Sequence, residues 1–593
     1  MVRAGGVPAD TAVVARLVAR YPSSEACTGI TTWSDAHCAL AVAPLRPTDR
    51  PFASHLETHV VFDGRFDDRA ALRAALDAAA RHGGLALPAD ASDARLLLHA
   101  WHAWGMECLE RLHGDFAWCL WDASRRMLVA ARDRFGVKPL YVARARGATV
   151  LAGSRAALRQ MDGLTSRLSD DGICDFLLFG QPLDNAVTCF ADIARLPPAH
   201  VLTVEENGRH RTEPYWRLAA PPALRHRGRD VVSQFRETLR QAVYDRVTEP
   251  SVAVLMSGGL DSSSVAALAA DVIPRERCVA VTAVYERAFA DDERTWSRMA
   301  AAHIGITNTQ LAVDAYALFS GWEGDFGPEE PTTEPLTAIM QDLLGAAARH
   351  STVVLGGDGG DPVLLPGAVS RLVGRVPLHQ LALDIGAAWH RGLWPPLGLK
   401  SGLRRLGRRI PPRPGWLSAR LVRTCDPAAR WEKYYRAQVP GSEPRAEALG
   451  VLRNPIWPSV FESRDPAVTG VPVEMRYPFF DHRVVSLALA LPSYPWLLGK
   501  SIVRDAMAGH LPDAILRRPK TALGGDPIRL RQWPVERLLA EVTTADGLQD
   551  FVDVAAFRQA MAVDPSWTSH PGILEVACLA RWMTLQRRSV GVA

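Results

Sequence analysis

The stretch from Ser251 to Leu268 admits few folds. Ser251–Met256 (SVAVLM) is a short run of β-branched and apolar residues. It stops at Ser257-Gly258-Gly259-Leu260-Asp261-Ser262, and Ser263–Leu268 reads as the opening of a helix. A strand with no polar alternation needs cover on both faces, which a parallel sheet flanked by helices provides. The cadence recurs at Cys278–Val284 (CVAVTAV) and Thr352–Leu355 (TVVL), with helical stretches between. This part of the chain is therefore expected to be α/β.

The turn after SVAVLM has the chemistry of an anion cradle. Its glycines let the backbone approach a phosphate, and the helix that follows turns its positive end to the same place. Ser257 and Ser262 add hydroxyl donors. Asp261 would repel a phosphate directly but suits a Mg²⁺ that phosphates share. No G-K-[ST] follows, so this is not a Walker loop; it matches the S-G-G-x-D-S signature of ATP pyrophosphatases. A second acidic turn, Leu355-Gly356-Gly357-Asp358-Gly359-Gly360-Asp361, closes the TVVL strand. Strand ends of a parallel sheet share one edge, so Asp361 is expected to supply a second metal carboxylate. A third segment holds Glu474–Arg483 (EMRYPFFDHR), Gly499–Arg504 and Arg517-Arg518-Pro519-Lys520. Two of the five lysines fall here, while the other 63 basic residues are arginine. An ammonium is a compact charge that suits a departing pyrophosphate. Lys520, on a proline-stiffened turn, is expected to fill that role; Lys500 reads equally as a surface helix residue.

Residues 1–215 read differently. Short β runs such as His59–Phe62 and Leu128–Ala131 lie beside turn signals, and helices fit 68–80 and 93–104. This is an α+β pattern. Proline, glycine and arginine at 216–230 mark a linker, and a helix pattern follows from Val231 to about Val247. The 593 residues exceed what one core supports. Residues 365–450 carry Pro395-Pro396, Pro411-Pro412, Pro414 and seven arginines between 404 and 423 (404, 405, 408, 409, 413, 420, 423), as either a solvated insertion or a contact for an acidic partner. A net charge of +4 makes no case for nucleic acid. Nine cysteines without a C-x-x-C pair read as reduced thiols of a cytoplasmic protein. No apolar run approaches the roughly 18 residues of a membrane span.

Taken together, SGGLDSS, GGDGGD, EMRYPFFDHR and RRPK resemble, in kind and order, the asparagine-synthetase-like (class B) superfamily. His113–Asp122 and Ala131–Tyr141 look like the glutaminase core of those enzymes. The resemblance implies an Ntn-hydrolase-like α+β sandwich over 1–215. After the linker it implies an α/β parallel-sheet ATP-pyrophosphatase domain over 231–593. The departures are pointed. The family's nucleophilic cysteine at position 2 is Val2, and its N-G-E-I-Y-N turn reads Asp63-Gly64-Arg65-Phe66-Asp67-Asp68. Without thiol and oxyanion-hole amide, glutamine hydrolysis is not expected. Members lacking that cysteine include β-lactam synthetases and lasso-peptide cyclases. RRPKTALGGDP, MRYPFFDHR and the GDGGD turn look most like the cyclases; Pro362 replaces a Glu usual in asparagine synthetases.

That resemblance implies ATP and Mg²⁺ as cofactors. ATP would be held by Leu255, Ser257, Gly258, Gly259, Asp261, Ser262, Val281, Gly356 and Gly357, with adenine near Leu255 and Val281. Asp261 and Asp361 would bind the metal, Lys520 would assist pyrophosphate, and Asp358 would act as base or orienter. A side-chain carboxylate of a precursor peptide would be adenylated and attacked by the peptide's own α-amine, giving a macrolactam, AMP and pyrophosphate. A leader peptidase and a leader-recognition protein would be further partners. The rival expectations are an ammonia-dependent asparagine synthetase or other amide- or β-lactam-forming synthetase, and an inactive peptide-binding scaffold.

Overall fold

The computed structural model describes residues 2–3, 10–19, 21–22, 29–81, 85–165, 167–224, 229–288, 292–398, 413–438, 445–520, 524–563 and 572–590. Its first part is built on two main antiparallel sheets. The larger has six strands, ordered His210–Pro214, His200–Glu205, Met127–Arg132, Gly114–Asp122, Thr58–Phe66 and Phe52–His55. The smaller has four: Val2–Arg3, Ala148–Ala152, Tyr141–Ala145 and Ile193–Arg195.

Gly114–Asp122 explains the layering. Successive side chains of a strand leave on opposite faces. Phe116, Trp118 and Leu120 pack under the helices Arg69–Ala80 and Asp93–Trp104, whereas Ala117 and Trp121 face Val142 and Leu151 of the smaller sheet. The strand is apolar on both sides because it lies in a middle layer. The outer face of the smaller sheet (Tyr141, Ala143, Val150) packs against the helix Asp170–Phe179 and against Ile573–Val590 from the far end of the chain. The result is a helix–sheet–sheet–helix sandwich whose last layer borrows helices from the second half.

The second half is organised by a five-stranded sheet. Its strands are β1 (Val252–Leu255), β2 (Cys278–Val284), β3 (Thr307–Ala312), β4 (Val353–Leu355) and β5 (Glu474–Arg476). They run in the order β3-β2-β1-β4-β5, every pair parallel. Strand order reverses between β1 and β4, and such a reversal opens a crevice at the carboxyl edge. Helix α1 (Leu260–Ala270) follows β1 and is buried from Ser262 to Ala270, so it lacks the polar stripe of a surface helix.

Between Pro214 and the helix Arg229–Arg246 the chain follows the second half: Leu218 is buried and the Leu224 N–H donates to the Ala490 carbonyl at 2.9 Å. Residues 225–228 lie outside the described residues. The stretch 365–450 is not solvated throughout: Trp416, Leu417 and Leu421 enter the core shared with the first domain, and Leu449 enters the core around the parallel sheet. Arginine-rich composition hid these anchors. The acidic partner foreseen for the arginines lies within the chain for one of them, since Arg420 makes two hydrogen bonds to Asp170 at 2.7 and 2.9 Å. Lys400 and the arginines from 404 to 409 fall outside the described residues. No helix among the described residues is long and apolar enough to cross a membrane.

Candidate active site

The two glycine turns meet at the reversal of the sheet. Gly258 takes φ +70°, and a Cβ there would come within 2.5 Å of the Ser297 backbone nitrogen. The chain can turn sharply out of β1 only with glycine at this point. Gly259 caps α1 with no side-chain acceptor, leaving the helix's first N–H groups for an external anion. The loop is braced from inside. The Ser257 N–H donates to Ser262 Oγ at 3.1 Å, and the two hydroxyls lie 3.2 Å apart.

The turn after β4 presses directly on this loop. A Cβ at Gly357 would lie 2.7 Å from the Ser262 nitrogen, and one at Gly360 only 2.4 Å from Asp261 Cγ. Two motifs about one hundred residues apart in sequence are thus in van der Waals contact. Lys500 closes the space between them. Its Nζ bonds Asp261 Oδ2 and sits 2.6 Å from Asp361 Oδ1. Lys520 Nζ donates to Asp361 Oδ2 at 2.7 Å. The RRPK turn also reaches the first loop, where Arg518 donates to the Gly258 carbonyl at 3.2 Å and stacks over Trp296.

The electrostatics follow from depth. Burial pushes the Asp261 carboxyl above its ordinary value, and Lys500 opposes this without cancelling it. Burial also works to raise Asp361, but hydrogen bonds from Lys500 and Lys520 outweigh it and hold the group below its ordinary value. Asp361 in turn raises Lys520. Asp261 Oδ1 is buried and has no hydrogen-bond partner. An orphaned anionic oxygen facing a second carboxylate across a cationic group fits a site for Mg²⁺. The glycine cradle and the free end of α1 fit a phosphate chain.

Most of the expected residues converge here: Ser257, Gly258, Gly259, Asp261, Ser262, Gly357, Asp361 and Lys520. Gly356 adjoins them, with its amide donating to the Arg476 carbonyl at 2.9 Å. Leu255, at the end of β1, is half-buried beside the crevice. Val281 pairs with Leu255 across β1 and β2, but its side chain is 1% exposed, so only its backbone is open to an adenine there. Asp358 is held by a charge-assisted pair, its Oδ2 accepting from Arg464 at 2.7 Å. Arg464 and Lys500 are the residues that sequence reasoning undervalued. Lys500 was marked only by the rarity of lysine, and Arg464 by nothing, being one arginine among 63.

The first domain retains a cavity of about 710 Å³, lined by Asp63, Gly64, Asp93, Lys138 and Asp465 among others. Asp63 stands where an amide donor was sought, and its carboxylate accepts from Lys138 at 2.8 Å. The side chain of Val2 lies outside what the structure describes; its backbone pairs with Thr149.

Comparison with known proteins gives two family matches. "Asparagine synthase" matches residues 234–583, and "Glutamine amidotransferase domain" matches residues 11–216. Amidase chyE of Penicillium rubens is 29% identical over 289 residues, 46% of this chain and 42% of that protein. The glutamine-hydrolyzing asparagine synthetase 3 of Bacillus subtilis is 26% identical over 475 residues, 72% of this chain and 70% of its own length. Asparagine synthetase 1 of the same organism is 22% identical over 524 residues, 83% of this chain and 79% of its own length. The chain thus spans less than half the length of the first of these relatives and over two thirds of the other two.

Proposed function

The chain belongs to the asparagine synthase family, a setting of ATP-dependent carbon–nitrogen bond formation, and from that premise we propose that it condenses a carboxylate with an amine or ammonia not drawn from glutamine. The observation that carries this reading is the contact of the SGGLDS and GGDGGD turns, with Lys500 between their aspartates. A carboxylate is a poor electrophile and must be activated. The Gly258–Gly259 backbone and the start of α1 would hold the triphosphate. Asp261 and Asp361 would hold Mg²⁺, which supplies charge neutralisation when bound. Lys500 and Lys520 would stabilise negative charge on departing pyrophosphate. Asp358, held in place by Arg464, would orient the incoming nitrogen. Val2 and Asp63 in place of the thiol and the amide support a nitrogen source other than glutamine, and the relatives named for glutamine hydrolysis differ on that point.

A second reading, closure of a macrolactam within a precursor peptide, is favoured by one surface. Leu378, Leu383, Trp389, Trp394 and Leu397 are exposed on and after the helix Leu378–His390. Leu393 from the same segment lies against Gly499, next to Lys500. An apolar shelf beside the catalytic lysine suits a peptide better than free aspartate, and on this reading a leader peptidase and a leader-recognition protein would prepare the substrate. ATP–pyrophosphate exchange separates the possibilities. Exchange with aspartate and ammonium, giving asparagine, would establish the small-molecule reading. Exchange only with a precursor peptide, whose mass falls by one water, would establish ring closure. Exchange with neither would overturn both.

A further inference from the structure

The interface between the two halves contains a thiol pair that the ligase chemistry does not use. On the helix Asp170–Phe179, Asp170, Asp171, Cys174 and Asp175 share one face at helical spacing. Against it lies the helix Ala419–Cys425, followed by Pro427–Gln438. Arg420 grips Asp170 with both terminal nitrogens. Arg430 pairs with Asp171 and Asp175 while its Nε donates to the Cys425 carbonyl at 3.0 Å. These clamps flank Cys174 and Cys425, whose side chains interact directly. Both are free thiols.

We propose that Cys174 and Cys425 form a reversible disulfide that fastens the amidotransferase-like domain to the synthetase half when the protein meets peroxide. The chemistry is asymmetric. Cys425 is 6% exposed and Cys174 is fully buried, so peroxide arrives at Cys425. The Cys174 thiol, the Thr424 hydroxyl (3.4 Å away) and Arg430 hold Cys425 below the ordinary thiol value. Every other described cysteine is shifted upward, mostly by burial. The thiolate is the reactive form, which selects Cys425. Its sulfur attacks a peroxide oxygen: an S–O bond forms, the O–O bond breaks, and hydroxide leaves as water with the proton the thiol gave up. Cys174 sulfur then attacks Cys425 sulfur: the S–S bond forms, the S–O bond breaks, and a second water leaves with the Cys174 proton. Hydrogen peroxide is reduced and two thiols are oxidised.

The test uses the full chain exposed to hydrogen peroxide, denatured, alkylated and mapped without reductant. Expected are a peptide pair linked through residues 174 and 425, loss of two of the nine thiols, and their return with dithiothreitol. Cys425→Ser, which starts with eight thiols, should lose none of them under the same exposure. Recovery of both peptides alkylated and unlinked would overturn the proposal. So would Cys425 carried to sulfinic acid beside a free Cys174, or a Cys425→Ser protein that loses thiols as the parent does. None of these outcomes depends on the ligase reaction.

Discussion

Replacing Gly360 with alanine tests whether the two turns act as one site. The added Cβ would stand 2.4 Å from Asp261 Cγ and 2.5 and 2.8 Å from its two oxygens, where ordinary contact begins near 3.4 Å. Asp261 is short and tied to Lys500, so it cannot swing aside; the turns must part by about 1 Å. A displacement of that size between reacting groups costs roughly 100-fold in rate, or about 2.7 kcal/mol of barrier. Overpacking adds a stability cost of about 1–3 kcal/mol, tolerable in a core this large. The assay is ATP–pyrophosphate exchange with whichever carboxylate the parent accepts, alongside circular dichroism to show that the fold survives. Gly345→Ala is the control, because a Cβ at Gly345 meets nothing within 4 Å. If Gly360→Ala exchanges pyrophosphate at the parent rate while folded, the contact between the turns is not part of the chemistry and the site assignment fails.

Two further perturbations probe the joint between the halves. Glu462 accepts from Arg132, Arg155 and Arg195 at 2.9–3.0 Å; burial favours its neutral form, yet these three guanidiniums hold its carboxyl down at about 2. Its contribution is therefore complete above the ordinary carboxyl value and is lost as pH falls toward 2. Glu462→Gln should cost about 3–5 kcal/mol in urea denaturation at pH 7, by leaving buried cations unpaired; an unchanged midpoint would refute this. Asp465 behaves oppositely, since burial, with Asp63 nearby, lifts its carboxyl from 3.8 to about 7. The folded state then holds the extra proton between those values, and stability falls as pH rises through that window. Asp465→Asn should flatten the decline, read as urea midpoints at pH 5 and pH 8.

How much of this was legible in the sequence depended on whether the signal was local. The strands at 252–255, 278–284 and 353–355 showed themselves as apolar runs, the first and last leading into glycine turns whose chemistry was readable. Strand β3 (TNTQLA) is polar and lies at the sheet edge, so no apolar run announced it. Strand β5 has three residues, and its Glu474 and Arg476 are buried because each finds an opposite charge. Pairing decided that burial, and the Arg46–Glu474 pair, which spans hundreds of residues, leaves no local trace. Val281 shows a related limit: its place opposite Leu255, midway along β2, is local, whereas the neighbours that bury its side chain come from elsewhere in the fold.

The same long-range pairing ties the first domain into the fold independently of any chemistry of its own. Tyr141, Ala143 and Val150 of its smaller sheet share one core with Trp416, Leu421, Leu538, Val576 and Leu579 from the second half. Among the described residues, Glu462 of the synthetase half is satisfied by three arginines and Tyr141 of the first domain, and Lys138 of the first domain lies within 3.7 Å of Glu474 on β5. Glu474 begins a strand that lies beside β4, the strand that delivers Asp361 to the site. Removing the first domain would strand a buried carboxylate, expose one face of the C-terminal helices and loosen the edge of the parallel sheet. Each of those costs several kcal/mol against a net stability of about 5–15 kcal/mol. The fold therefore holds on to the first domain on energetic grounds alone, whatever chemistry that domain performs.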